Sequence, residues 1–327
     1  MRALCLLLVA VAAGAQTTPI LVDTDAGSDD FMAVALLLSD PSVTIDAITV
    51  VNGLAHVGPG ARNMTRLLDL AGRGRVPVFA GRQTPLRGTA EFPAEWRKIA
   101  DDLPGVDLPA SSRAPESRPA AAYLVERLRR GPPVRILALG PLTNLAEALT
   151  HDHSIAKNIQ EIVIMGGALH APGNLGDGGV FHTKNNTAEW NIYVDPLAAS
   201  IVFKSGIPIR LIALDATNKV PIGPEFLREF EAKAHTPLGH AVAAVLKADR
   251  ETIDAGIFYA WDPLAAAAIL KPTIVKTVPV HIEVRQDPPE EGRTAETPGK
   301  PNANVAIDAD AAAFRALFLE AFARTHR

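Results

Sequence analysis

Short apolar runs alternate with helical patterns along most of this 327-residue chain, and that rhythm restricts its fold more than any other feature. Runs at 20–24, 43–51, 76–80, 135–139, 161–165 and 207–214 read as strands, and the stretches at 30–38, 60–71, 120–129, 142–149 and 196–203 read as the helices between them. Strand–helix alternation generates a parallel sheet, because each crossover returns the chain to the same end. Runs such as Ile20-Leu21-Val22 and Ile162-Val163-Ile164-Met165 are apolar on both faces, so helices must cover both sides. The expected fold is α/β, a doubly wound, mostly parallel central sheet flanked by helices. Helices near 224–234, 239–254 and 263–270, strands near 278–284 and 305–307, and a last helix at 309–323 complete the pattern. Segments 88–119, 171–187 and 286–304, rich in Pro, Gly and polar residues, read as long loops.

The chain is 48% apolar and 21% charged, which suits one large core and leaves no tract that reads as disordered. A formal charge of −4, with no basic stripe, argues against nucleic-acid binding. The N-terminus reads differently. Arg2 gives a positive start, residues 3–13 form a continuous apolar run, and Ala13-Gly14-Ala15 makes a small-residue cleavage site before Gln16. That run is too short to span a bilayer comfortably. The expectation is a cleaved signal peptide at 1–15, a single domain over 16–327, export to a periplasm or the exterior, and no stable membrane anchor. Cys5, the one cysteine, lies in the signal, so the mature chain must ligate any metal through oxygen or nitrogen.

The first strand runs into Asp23-Thr24-Asp25-Ala26-Gly27-Ser28-Asp29-Asp30. Ser28 or Asp29 can cap the following helix, whose N-terminus favours anions. Capping accounts for one or two acids but not for four in eight residues, whose mutual repulsion a divalent cation would relieve. Hard oxygen donors suit calcium or magnesium. The sequence has no Walker phosphate loop, and the Asp-x-Asp of haloacid-dehalogenase phosphatases wants Thr or Val where Gly27 stands. Other polar groups also follow strands: Asn52, then Gly140-Pro141-Leu142-Thr143-Asn144, then Gly166-Gly167. Ligands of open α/β sheets bind beyond the carboxyl ends of the strands, so one crevice can collect all of these groups. Asn144 reads as a structural cap or turn residue.

On these motifs the chain resembles the inosine-uridine-preferring nucleoside hydrolase family. The matching stretches are the acidic run at 23–30, Ala47-Ile48-Thr49-Val50-Val51, the 140–144 turn, residues 163–168, Ala188 to Pro196, and Trp261-Asp262-Pro263-Leu264-Ala265. The resemblance implies a calcium ion held by Asp25, Asp30, the Leu139 carbonyl and Asp262, with Asp25 taking a proton from the attacking water. It implies ribose contacts from Asp29, Asn174, Glu189, Asn191 and Asp262, and a small-molecule nucleoside as substrate. Asp23 is left with a structural role, and the relatives' habit implies a homodimer or homotetramer. The chemistry is consistent: breaking an N-glycosidic bond develops positive charge on the ribose, which carboxylates stabilise, and no covalent intermediate is required.

Three departures bear on specificity. Many pyrimidine-accepting members carry His just before the final metal Asp, where this chain has Trp261. Together with Glu189-Trp190-Asn191, that exchange resembles the purine-specific branch, in which aromatic rings sandwich the base. Trp261, Trp96 and Trp190 are the base-binding candidates, with Phe92 behind Trp96. Asn52-Gly53 inverts the family's Gly-Asn, so Asn52 reaches a ligand only from a shifted backbone. His182, in the 171–187 loop, is either a replacement acid for the leaving base or a solvent-exposed loop residue. The expected activity is hydrolysis of ribonucleosides, purine nucleosides preferred. The rivals are an exported nucleoside-binding protein without catalysis and a hydrolase of another N-riboside.

Overall fold

The computed structural model describes residues 18–323 apart from 112, 177, 178 and 180; the signal peptide expected at 1–15 lies outside them. The first half comprises β1 (Ile20–Thr24), α1 (Ser28–Ser39), β2 (Ile45–Val50), α2 (Val57–Leu70), β3 (Val78–Ala80), α3 (Ala94–Asp102), α4 (Ala120–Arg130), β4 (Val134–Ala138), α5 (Thr143–His151) and β5 (Ile159–Met165). There follow α6 (Trp190–Val194), α7 (Pro196–Phe203), β6 (Ile209–Ile212), α8 (Leu214–Thr217), α9 (Pro224–Lys233), α10 (Pro237–Ala248), α11 (Arg250–Asp254) and α12 (Trp261–Leu270). The chain closes with β7 (Val275–Val280), β8 (Ile282–Val284), β9 (Thr294–Glu296), β10 (Ala303–Ala309) and α13 (Ala311–Ala323).

Eight strands form one sheet in the order β3-β2-β1-β4-β5-β6-β10-β7, parallel except for the β10–β7 pair. Side chains alternate across the pleat and so feed two cores. Leu21, Ile136 and Ile162 face α4, α5 and α7, while Val22, Leu137 and Val163 face α1, α2, α10, α12 and α13. The fold is the doubly wound α/β arrangement read from the sequence. Strand order reverses at β1, with β2 on one side and β4 on the other. A crevice opens at that switch point, beyond the strand ends. Helices α1 and α12 pack against one another, and the buried run Ala265–Ala268 gives α12 the small side chains that allow close approach. Their first turns therefore meet at the crevice, bringing Asp29 and Asp30 of α1 to Asp262 of α12.

Four expectations need correction. The 88–119 loop contains α3, an amphipathic helix between Pro93 and Pro104 whose inner face carries Arg97 and Ala100. The single helix expected over 239–254 is two, broken at Asp249. The strand expected at 278–284 is split: Pro279 sits in edge strand β7, where a missing N–H is tolerated, and β8 leaves to pair with β9. That pairing gives part of the 286–304 loop a regular structure. Among the described residues no helix is long and apolar enough to cross a membrane.

Candidate active site

The carboxylates enter the crevice through a strained turn after β1. Ala26 adopts a left-handed backbone at φ 59°, uncommon for a residue with a Cβ. Local hydrogen bonds hold it there. Thr24 Oγ1 accepts from the Ala26 amide at 3.0 Å and donates to Asp30 Oδ1, and the Gly27 amide donates to Asp30 Oδ2 at 3.0 Å. Asp25 fits between two glycines: a Cβ on Gly53 would stand 2.1 Å from Asp25 Oδ2, and one on Gly140 would stand 2.8 Å from Asp25 Cβ. The Leu54 amide donates to Asp25 Oδ2 at 2.8 Å. Asp23 points elsewhere and accepts from Thr49 Oγ1 at 2.6 Å and Asn144 Nδ2 at 2.8 Å.

Asp25, Asp30 and Asp262 are at most 2% exposed, whereas Asp29 is half-buried. Oxygens of Asp29, Asp30 and Asp262 lie within 4.8 Å of one another, and Asp25 hydrogen-bonds Asp30. The tightest trio thus includes Asp29, to which the resemblance gives a ribose role, with Asp25 beside it. Burial raises the carboxyl pKa values of Asp25, Asp29 and Asp262 well above the ordinary range, and neighbouring carboxylates push them further. Asp262 Oδ1 is buried without a hydrogen-bond donor. Every available ligand atom is a hard oxygen, so these residues fit a divalent cation of the calcium or magnesium type. Leu139 also lines the pocket; its carbonyl accepts from Asn191 Nδ2 at 3.1 Å and retains a second lone pair.

Across from the acids, Glu189 caps α6. Its Oε1 accepts from the Asn191 amide at 2.9 Å, and its Oε2 accepts from the amides of Gly167 at 2.9 Å and Ile192 at 3.2 Å. Burial outweighs these donors and pushes the Glu189 carboxyl up to about 7. Asn191 Nδ2 also donates to the Met165 carbonyl at 3.3 Å, and Asn174 Oδ1 accepts from the Trp190 amide at 3.2 Å. All three side chains line the same pocket as the acids. Polar groups on two sides of one space suit a sugar carrying several hydroxyls.

The remainder of this ≈ 550 Å³ pocket is apolar and aromatic. Trp190 stacks on Phe92 at 4.8 Å between centroids and meets Trp96 edge-on at 5.7 Å. Trp261 packs edge-on against Phe258 at 5.3 Å. Trp96 and Trp261 are half-buried pocket-lining residues, and Ile99, 43% exposed, lies on the same helix as Trp96. Flat apolar walls suit a planar ring.

Two candidates fall outside the lining. Asn52 is buried, and its Oδ1 accepts from Arg97 Nη2 at 3.1 Å. His182 is exposed on its loop. Arg97 itself escaped the sequence reading. It is a buried cation on α3 that also pairs with Glu91 Oε2 at 2.8 Å, so it fastens the helix bearing Trp96 to the end of β2. Its only signal was its place beside Trp96. Asp249 was missed as well; it lines the pocket beside Ser28, and burial pushes its carboxyl up to about 6. Inside a run that read as continuous helix, nothing marked it out.

A parallel sheet with a cation-suited acidic cluster, hydroxyl-binding groups and an aromatic compartment at its switch point defines a site for a sugar joined to a flat ring. Residues 20–316 match the family described as inosine-uridine preferring nucleoside hydrolase, and the chain belongs to that family. It is 35% identical over 319 residues to the pyrimidine-specific ribonucleoside hydrolase RihA of Citrobacter koseri, spanning 93% of this chain and 98% of that one. The solved plant nucleoside hydrolase PpNRh1 superposes with a TM-score of 0.84 at 30% identity, covering 94% of this chain and 99% of that one. The purine-preferring ribonucleoside hydrolase of Gardnerella vaginalis gives 0.80 at 28% identity, covering 93% and 98%. The chain is thus an N-ribosyl hydrolase of a metal-dependent family, acting on small-molecule nucleosides.

Proposed function

We propose that this protein is an exported, calcium-dependent hydrolase that cleaves ribonucleosides to ribose and free base, with purine nucleosides preferred. The observation that carries the purine preference is Trp261, a pocket-lining indole directly before the buried Asp262. An indole cannot protonate a departing pyrimidine, but it stacks on a purine and suits the larger ring system. A specific finding favours a second reading, pyrimidine preference: the RihA relative is named pyrimidine-specific.

In the proposed mechanism Asp25, Asp30, the Leu139 carbonyl and Asp262 hold the cation. When bound, calcium supplies charge that orients the attacking water and lowers its pKa. Asp25 accepts the proton of that water as general base. Asp29, Asn174, Glu189, Asn191 and Asp262 hold the ribose hydroxyls, and the surrounding carboxylates stabilise the positive charge that grows on the ribose as the C1′–N bond breaks. Trp96, Trp190 and Trp261 form the walls against the base. The water oxygen adds to C1′ as the C1′–N pair stays with the base, whose nitrogen takes its proton from solvent. The apolar run at 3–13 followed by Ala13-Gly14-Ala15 supports export. A homodimer or homotetramer is part of the proposal, to be read from light scattering.

The test is release of ribose from inosine, adenosine, guanosine, uridine and cytidine, with calcium or with chelator. Calcium-dependent release, faster from the purines, is expected. No release from any nucleoside in calcium contradicts the activity, and faster cleavage of uridine than of inosine contradicts the preference alone.

A further inference from the structure

Asp249 stands at the junction of α10 and α11, the natural N-cap position of α11, yet its side chain makes no capping hydrogen bond. The carboxyl turns instead toward Ser28 at the start of α1, whose hydroxyl it engages. Its Oδ2 is buried with no hydrogen-bond partner. An aspartate that leaves a helix end uncapped and keeps an orphaned buried oxygen carries two local costs. A ligand donor at that place offsets both.

The position indicates which part of the ligand supplies the donor. Asp29, Asn174, Glu189, Asn191 and Asp262 converge at the sugar end of the pocket. The rest of the lining includes Trp96, Ile99, Val245, Ile257, Phe258 and Trp261, with three carboxylates, Glu95, Asp249 and Glu251. Asp249 directly follows α10, which carries Val245, and its charge also reaches Asp29. Glu95 and Glu251 are exposed and remain hydrated; Asp249 alone of the three is half-buried, with its Oδ2 out of contact with solvent. A purine placed against aromatic walls still has polar edge atoms that need partners. We propose that the Asp249 carboxylate accepts a hydrogen bond from an N–H on the edge of the base, selecting purines that present a donor there. This rests on the nucleoside hydrolase reading and makes Asp249 a specificity-determining residue within it.

The test uses the calcium-loaded full-length mature enzyme at pH 8 with three substrates sharing one ribose. Inosine presents the N1–H donor, purine riboside lacks it, and p-nitrophenyl riboside has no base. Asp249→Ala is expected to lower kcat/KM for inosine by about 10- to 100-fold, the effect of one hydrogen bond to a charged group, and for the other two by less than about threefold. The variant should fold, because the orphaned oxygen goes with the side chain and the Ser28 hydroxyl it leaves lies in the pocket lining, within reach of water. Asp249→Leu, similar in size and without an acceptor, provides the same comparison if it does not. Equal losses on all three substrates, or inosine kinetics unchanged in the variant, overturn the proposal. A wild-type enzyme that cleaves none of the three overturns the hydrolase reading first, so the two failures are distinguishable.

Discussion

The two ends of the pocket are built by different means. At the acidic end the groups come from strand termini and the first turns of α1 and α12, and the backbone fixes them. Asp25 is clamped by Gly53 and Gly140, Asp30 is tied to Thr24 and Gly27, and Glu189 is tied to three amides. At the aromatic end most of the walls come from α3, α10 and the segment leading into α12, outside the sheet, although Trp190 and Trp261 adjoin Glu189 and Asp262 in sequence; Trp96 and Trp261 remain half-buried. Bond-breaking needs fixed geometry and buried charge, which a sheet end supplies. Base choice needs a surface that can change without disturbing that geometry, which peripheral helices supply. Relatives named pyrimidine-specific and purine-preferring share one family with this chain, in keeping with such a division.

The largest expected effect falls on the acidic end. Asp25→Ala should lower kcat by about 10²- to 10⁴-fold or more, the range for a lost general base, and by the same factor for every nucleoside. A loss that depends on the base would break the division between the two ends. Its thermal midpoint should be no lower than that of the metal-free wild type, because a buried like-charge contact is removed. At the other end, Trp261→Ala should lower kcat/KM for inosine by about 10- to 100-fold, the scale of one lost base–aromatic stack, with a smaller loss for uridine. Unchanged inosine kinetics would refute the stacking role.

Glu189 sharpens the comparison through pH. Its carboxyl sits at about 7 in the fold against 4.5 ordinarily, so the folded protein holds that proton more tightly than the unfolded chain. The resulting stabilisation is full below pH 4.5 and is lost as pH rises through 7. Over that window the metal-free wild type should lose on the order of 3 kcal/mol relative to Glu189→Gln, measured by urea unfolding at each pH. A constant difference between the two would contradict a burial that outweighs the three amide donors to this carboxyl. The smallest effect is expected at the fastening of α3. Arg97→Ala frees the helix bearing Trp96 and should raise KM for inosine by about fivefold, on the scale of one hydrogen bond, with kcat little changed. A fall in kcat without a rise in KM would place Arg97 with the chemistry instead.

The same division explains what could be read from the sequence. The parallel strands were legible because each is a short apolar run bounded by turn residues, and the acidic run was legible because four carboxylates lie within eight positions. Glu189 and Asn191 looked like an ordinary amphipathic edge until the resemblance gave them roles. Their geometry depends on α6, whose five residues are too few to show a period. Helix α3 was read as loop because flanking prolines and a polar outer face hid its pattern. Arg97 and Asp249 were illegible for a related reason: each owes its environment to a partner distant in sequence, Asn52 for one and Ser28 for the other. The Asn52-Gly53 inversion, which looked like a defect in the pattern, has a steric reason in Asp25, which leaves no room for a Cβ at Gly53.

The most direct test is the ratio of kcat/KM for inosine to that for uridine, measured in calcium for the wild type and for Trp261→Ala, with chelated controls. The account predicts a ratio above one that collapses toward one in the variant, and loss of both activities with chelator. A wild-type ratio below one, or a ratio unchanged in Trp261→Ala, would contradict it.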